Sequence, residues 1–350
     1  MIVKSISSKD KVIDSLYKVM CTNTTTAIDN KVKNNDYFKR RVLGFKAEIE
    51  FEEELKKTDF SFRKGGILLS PRLDGSKDMK NKFAYITIDS LNPIEYLNIY
   101  SEMAAWDEVK ILYYAQLKLE EWKEEDYEVK EEKGGVLVKK KILVPDYKLY
   151  KFDRETKCFI ESKDNDFSNI LKIGTKRSKK TSKFHLRKRD HFEFFKDYDL
   201  EILQKIYADR YFIDKLKNEQ DVLFNIIDFD GFITKKERTI IIEIKEKTPI
   251  KQESKEGIDN KQLWSYGWDT RRLLWYLEVQ KEIGLEILYI IRQIETREER
   301  KFIQWDYIFL NNFLKGVSWS NSRGGGGGED TLTAPYNHFN HFKNLKEVLL

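Results

Sequence analysis

Residues 225–249 read NIIDFDGFITKKERTIIIEIKEKTP, and their ionisable side chains stand among residues that favour burial. Alternate side chains of a strand share a face. Glu243 and Lys245 therefore point one way, while Ile240, Ile242 and Ile244 point the other, into a core. Asp228 and Asp230 share a face of the preceding segment, and the short KKER loop implies an antiparallel hairpin. A hairpin that brings these faces together converges two carboxylates on one ammonium. Close carboxylates repel unless a cation separates them. Few oxygen ligands with room for water suit Mg²⁺, with Mn²⁺ its close alternative. The lysine can then position or deprotonate a water for in-line attack on a phosphodiester.

Asp230, twelve intervening residues and then Glu243-Ile244-Lys245 on a hairpin resemble the PD-(D/E)XK nuclease superfamily. The DG pair followed by an apolar residue, then EIK and a nearby Pro249, is most similar to the lambda-exonuclease and RecB-like branch. Phe229 stands where the family places a proline, which is not a ligand. The resemblance implies that Asp230, Glu243 and the backbone carbonyl of Ile244 hold metal and that Lys245 serves the nucleophilic water. QLWSY, from Gln262, matches the QxxxY motif of the same branch. On a helix spanning 259–282, Gln262, Leu263, Tyr266, Thr270, Leu273 and Leu277 share a stripe. The resemblance implies that Gln262 and Tyr266 face the active site and the nucleic-acid backbone. The plainer readings are an edge-strand salt bridge for the D…ExK pattern and a hydrogen-bonded core amide for Gln262. The family often adds an acid on the preceding helix; Asp209, Asp214 and Glu219 all qualify. The resemblance covers about residues 199–295.

The elements that must position these groups follow from pattern. Residues 1–60 are polar with moderate helical periodicity. Short β-like runs (GGILLS, KFAYITID, VKILYYAQLKL, GGVLVKKKILV) occupy 60–160, interrupted by a helix from Pro93 to Ala105. Eight acids in 120–132 read as a solvated face or loop. Residues 172–189 carry nine Lys or Arg and no acid, interspersed with Gly, Ser and Thr. They read as a mobile linker, or as a strap whose Lys176, Arg177, Lys179, Lys180, Lys183, Arg187, Lys188 and Arg189 neutralise phosphates. DLEILQKIYADRYFIDKLK predicts a helix, VLFNIIDFDGFI and RTIIIEIKEK two strands, and LEILYIIRQI another strand after the long helix. That helix carries a second stripe, Trp264, Trp268, Arg271 and Trp275, expected to be sandwiched between layers. Gly324–Gly328 suggest a flexible loop, HFNH at 338–341 suggests surface, and no internal repeat is present.

At 350 residues, with 13% aromatics and 35% charged residues, the chain is expected to hold two domains with true cores. Net charge of +5 is compatible with nucleic acid. Cys21 and Cys158 lack zinc-site or disulfide spacing. The N-terminus lacks a signal-peptide core and no apolar run reaches bilayer length, so a cytoplasmic protein without a membrane partner is expected. The fold expected is α/β. A restriction-endonuclease-like core, a mixed sheet flanked by helices, occupies 190–315. An N-terminal α/β recognition or assembly domain (1–171), the basic linker (172–189) and a Gly-rich tail (316–350) complete the chain. The function expected is Mg²⁺-dependent cleavage of double-stranded DNA by a restriction or defence endonuclease, as a homodimer or with a partner subunit. The rivals are a repair exonuclease and a catalytically inactive DNA-binding subunit.

Overall fold

The structure is a computed structural model. It describes residues 8–22, 31–71, 83–131, 136–162, 175–176, 183–184, 186–218, 222–235, 238–252, 263–317, 323–324 and 330–342. The protein is α/β with mixed sheets, in two compact units: 1–43 with 66–226, and 44–65 with 227–350. These limits differ from those expected at 171 and 190. The segment 44–65 belongs with the C-terminal unit, and the described parts of the basic run lie inside the first unit. Among the described residues no helix is long and apolar enough to cross a membrane.

In the first unit the strand Phe83–Asp89 is buried throughout and runs parallel to Val109–Glu131, with Pro93–Tyr96 and the helix Leu97–Ala105 between them. Val109–Glu131 pairs antiparallel with Leu137–Asp153. The acid-rich stretch is thus the solvated part of a strand, and Lys139 of its partner reaches Asp126 and Glu128 at 3.8 and 3.9 Å. Arg187 and Arg189 are held against the helix Lys9–Thr22. The Tyr17 hydroxyl donates to Arg187 O at 2.8 Å, and Arg189 pairs with Asp14 at 3.0 Å. Lys188 is exposed. Lys176 and Lys183 lie in the two-residue strands Thr175–Lys176 and Lys183–Phe184, while Arg177, Lys179 and Lys180 fall outside the described residues.

The second unit is built on a mixed sheet. Its order is Ser61–Lys64, Gly231–Lys235, Arg238–Lys247, Glu286–Ile294, Phe302–Phe309 and Asn340–Phe342. Arg238–Lys247 and Glu286–Ile294 are parallel neighbours, so the chain must cross over between them, through the helix Thr270–Ile283. Ile240, Ile242 and Ile244 pack with Ala47, Phe51 and Leu55 of the helix Lys31–Leu55, and with Leu288, Ile290 and Trp305. This apolar face of the sheet fixes which way Glu243 and Lys245 point.

Three sequence expectations are corrected. The helix over 259–282 is a strand, Leu263–Asp269, followed by the helix Thr270–Ile283. Trp264, Tyr266 and Trp268 alternate with period two, and Asp269 caps the helix by accepting from the Arg272 amide at 3.0 Å. Trp264, Trp268, Arg271 and Trp275 therefore share no helical stripe. The strand over VLFNIIDFDGFI is broken into Val222–Asp228 and Gly231–Lys235. The expected tail is structural: Asp330–Pro335 pairs with Leu263–Asp269, and Asn340–Phe342 pairs with Phe302–Phe309. Gly325–Gly328 lie outside the described residues.

Gly65 sits where the chain leaves Ser61–Lys64. A Cβ there would lie 1.8 Å from Phe229 O, and its amide donates to Asp230 O at 3.4 Å. Gly44, inside the helix Lys31–Leu55, has nothing within 4 Å of such a Cβ. Gly65→Ala is expected to destabilise the second unit by about 1–3 kcal/mol through backbone displacement at Phe229–Asp230. Gly44→Ala is expected to stabilise it by roughly 0.5–1 kcal/mol. Chemical denaturation of both variants checks the opposite signs.

Candidate active site

The hairpin pairs Gly231 with Ile242, so continuing the register by one residue sets Asp230 opposite Glu243. Asp230 is anchored by its own hairpin, for the Ile244 amide donates to its Oδ2 at 2.6 Å. Lys245 Nζ lies 3.3 Å from Asp230 Oδ2, 2.6 Å from Glu243 Oε1 and 2.9 Å from the Ile244 carbonyl oxygen. Three oxygens from the residues expected to hold metal thus surround one cationic atom. The Glu243 side chain is 0% exposed and that of Asp230 7%.

The helix Thr270–Ile283 supplies the rest of the site. With Asp269 as its cap, Arg272 falls in the first turn and Tyr276 one turn later, on the same face. The Arg272 guanidinium bridges Glu243 and Asp228, and the Tyr276 hydroxyl donates to Glu243 Oε2 at 2.5 Å. Lys247, two residues beyond Lys245 on the same face, donates to the Gly267 carbonyl and lies 5.7 Å from the Tyr289 ring centroid. Glu48, on the helix Lys31–Leu55, is close enough to add negative potential at Asp230.

Burial and the facing carboxylate of Glu243 push the Asp230 carboxyl well above its ordinary range, against the pull of Lys245. Burial works on Glu243 too, yet Arg272, Lys245 and the Tyr276 hydroxyl hold it below the usual value. Burial would lower Lys245, but the two carboxylates raise it above an ordinary lysine. On Lys247, burial and the neighbouring Lys245 outweigh the pull of Glu243 and Asp269 and bring it down to about 8.

The chemistry of the donor set fits a hard divalent cation. Two carboxylates and a carbonyl converge on a point that an ammonium already occupies, and a small oxygen set leaves places for water. Among the described residues no group of three or more His, Cys, Asp or Glu could hold a metal ion.

The other expected site residues lie elsewhere or outside view. Tyr266 is fully buried on a strand, with its hydroxyl donating to Asp306, and it does not reach Glu243 by any hydrogen bond among the described residues. Gln262 lies outside the described residues. Asp214 is buried in the first unit, accepting from Thr22 at 3.2 Å and from Tyr127. Asp209 belongs to the same unit, and Glu219 lies outside the described residues. Sequence reasoning missed Asp228 as a partner of Arg272, and missed Arg272, Tyr276, Lys247 and Glu48. Asp269 three residues before an Arg-x-x-x-Tyr pair was the signal for the first two. No family model matches the chain, and no curated protein or solved structure does either.

The carboxylates carry opposite pH signatures. A carboxyl raised in the fold, like Asp230, costs stability once the pH exceeds its unfolded value of ~3.9, and the cost is complete above the folded value. A lowered one, like Glu243, contributes stability above its unfolded value and loses it as pH falls. Asp230→Asn is expected to raise the melting temperature near pH ~7.5 without divalent ions, and to leave it unchanged near pH ~3, where both side chains are neutral. Calorimetry at the two pH values decides this. A variant less stable than wild type at the higher pH would contradict the charge assignment.

Proposed function

We propose that the protein is a metal-dependent nuclease that hydrolyses phosphodiester bonds in double-stranded DNA, as a restriction or defence endonuclease. The observation that carries this reading is the placement of Lys245 Nζ within 3.3 Å of Asp230, Glu243 and the Ile244 carbonyl. The surroundings support it: an aspartate leading into a hairpin, Glu-x-Lys inside it, and a mixed sheet flanked by helices are what the resemblance to PD-(D/E)XK nucleases calls for. Arg272 and Tyr276 have the four-residue spacing of the QxxxY motif and face Glu243, so we assign them the place first given to Gln262 and Tyr266.

Asp230, Glu243 and the carbonyl of Ile244 would hold Mg²⁺ or Mn²⁺. When bound, the ion supplies charge neutralisation and polarises a phosphoryl oxygen and a water. Lys245 presents an ammonium to that water and to the phosphate. Its proton is held, against burial, by Asp230 and Glu243. With a divalent ion bound to those carboxylates, that hold would weaken and Nζ would be freer to act as a base. Arg272, ion-paired to Asp228 and Glu243, keeps Glu243 ionised and offers a planar donor set suited to phosphate. Tyr276 fixes the second oxygen of Glu243. We assign phosphate neutralisation to the basic run 172–189, with Lys176, Arg177, Lys179, Lys180, Lys183, Arg187, Lys188 and Arg189 as its cations; Arg189 is already paired with Asp14.

Incubation of wild type with supercoiled plasmid and Mg²⁺ is expected to give nicked and linear products with defined ends. Lys245→Ala is expected to lower the rate by at least ~10²-fold, the scale of a lost acid–base group. Equal activity in both proteins would leave an inactive DNA-binding subunit, and digestion of linear DNA alone would leave an exonuclease. Replacing Lys176, Arg177, Lys179, Lys180 and Lys183 by Ser is expected to flatten the dependence of log affinity on log salt by about 4. An unchanged slope would reduce the run to a structural role.

A further inference from the structure

The sheet row that contains Lys245 continues across it. Lys245 pairs with Ile291, Ile291 with Asp306, and Asp306 with His341. Directly paired residues put their side chains on one face, so Asp306 and His341 lie on the face of Lys245. Asp306 is fully buried. Its Oδ1 accepts from His341 Nδ1 at 2.7 Å and from Gln304 at 2.9 Å, and its Oδ2 accepts from Tyr266. The Tyr336 ring stacks on the imidazole at 4.3 Å and 25°. The side chain of His341 is 32% exposed, and Nε2 has no hydrogen-bond partner among the described residues. HFNH, expected to be plain surface, therefore contributes one surface histidine and one oriented against a buried carboxylate.

A second row ties this pair to the site. Lys247 pairs with Gln293, and Gln293 with Gln304. The Tyr336 hydroxyl donates to Gln293 at 3.0 Å and accepts from Gln304 at 2.9 Å. Hydrogen bonds thus run from Gln293, the register partner of Lys247, through Tyr336, Gln304 and Asp306 to His341. Three strand spacings of ~4.8 Å put the His341 backbone about 14 Å from that of Lys245, too far to act on the same bond. A polynucleotide strand covers that span readily, since its charges recur every ~3.4 Å along the axis.

The geometry points to a second phosphodiester-binding subsite at His341: the imidazole, oriented through Nδ1 by Asp306, donates from Nε2 to a backbone phosphate of the strand whose scissile phosphate lies at Lys245. This rests on the nuclease reading for the nature of the strand. The described partners of the buried Asp306 carboxylate are His341, Gln304 and Tyr266. The groups facing His341 are Asp306 and Gln304 on one strand, Tyr266 behind the carboxylate and Tyr336 on the ring. Asp306 is the one acidic group among them.

The test uses full-length protein in the Lys245→Ala background and a blunt DNA duplex as the probe, with affinity measured against salt at about pH 6 and pH 8, across which imidazoles change charge. Adding His341→Gln is expected to weaken binding several-fold at the lower pH and to flatten the log–log salt slope there by about one. At the higher pH the two proteins should bind alike. The same affinity and slope at both pH values would overturn the subsite. The nuclease reading is scored separately, by plasmid cleavage in wild type. Cleavage with a silent His341→Gln sinks only the subsite, whereas no cleavage with a His341-dependent salt slope sinks only the nuclease.

Discussion

Asp230 and Glu243 face each other from adjacent strands in a nearly dry pocket, and like charges at that range cannot both be ionised without a counter-charge. The second unit can be read as the apparatus that makes the arrangement possible. Asp228, Asp230 and Glu243 bring three negative charges, and Lys245 and Arg272 bring two positive ones. The deficit falls unevenly. Glu243 touches both cations and a tyrosine and stays ionised, while Asp230 holds only the edge of Lys245 and an amide and is pushed toward its neutral form. Asp230 is therefore where an added cation gains most. With no further cation present, this imbalance costs stability at neutral pH.

What prevents relaxation is the other face of the same strand. Ile240, Ile242 and Ile244 are buried against Ala47, Phe51 and Leu55, and a one-residue slip would exchange them for Glu243 and Lys245. Burying those charges in the apolar layer would cost far more than the repulsion it relieved. The helix Thr270–Ile283 is fixed as firmly, because Asp269 starts it and Gly284, at φ 74°, ends it. Arg272 is thereby placed over Glu243 by backbone geometry and not by its own flexibility.

How much of this could be read from the chain follows from the range of each cue. Alternation of isoleucines with Glu243 and Lys245 is local, and it gave the strand, its two faces and the hairpin. The QLWSY stretch satisfied a motif and a helical stripe at once. The alternating Trp264, Tyr266 and Trp268 pointed instead to a strand that pairs with Asp330–Pro335. That partner lies beyond a glycine run that looked like a terminus, so the cue was non-local and the helix was extended too far. Arg272 and Tyr276 were hidden by the same error, since neither can be placed until the helix start is known. The pairing of His341 with Asp306, and of both with the row of Lys245, depends on register across four strands, and no spacing rule reports it.

The discontinuity of the second unit was the least visible feature and explains the most about its sequence. Ser61–Lys64 and Gly231–Lys235 are neighbours in one sheet, yet the whole of 66–226 lies between them in the chain. Closing so long a loop costs little more than closing a moderate one, because the entropy grows only logarithmically with length. What it requires is that both ends of the excursion meet at the sheet. They meet at Gly65 and Phe229, whose backbones approach too closely for any side chain at Gly65. Asp230 is the next residue, and its carbonyl accepts the Gly65 amide. The junction and the first carboxylate of the site are therefore one piece of backbone, which is why an apparently idle glycine ahead of GILLS is as constrained as the acids themselves.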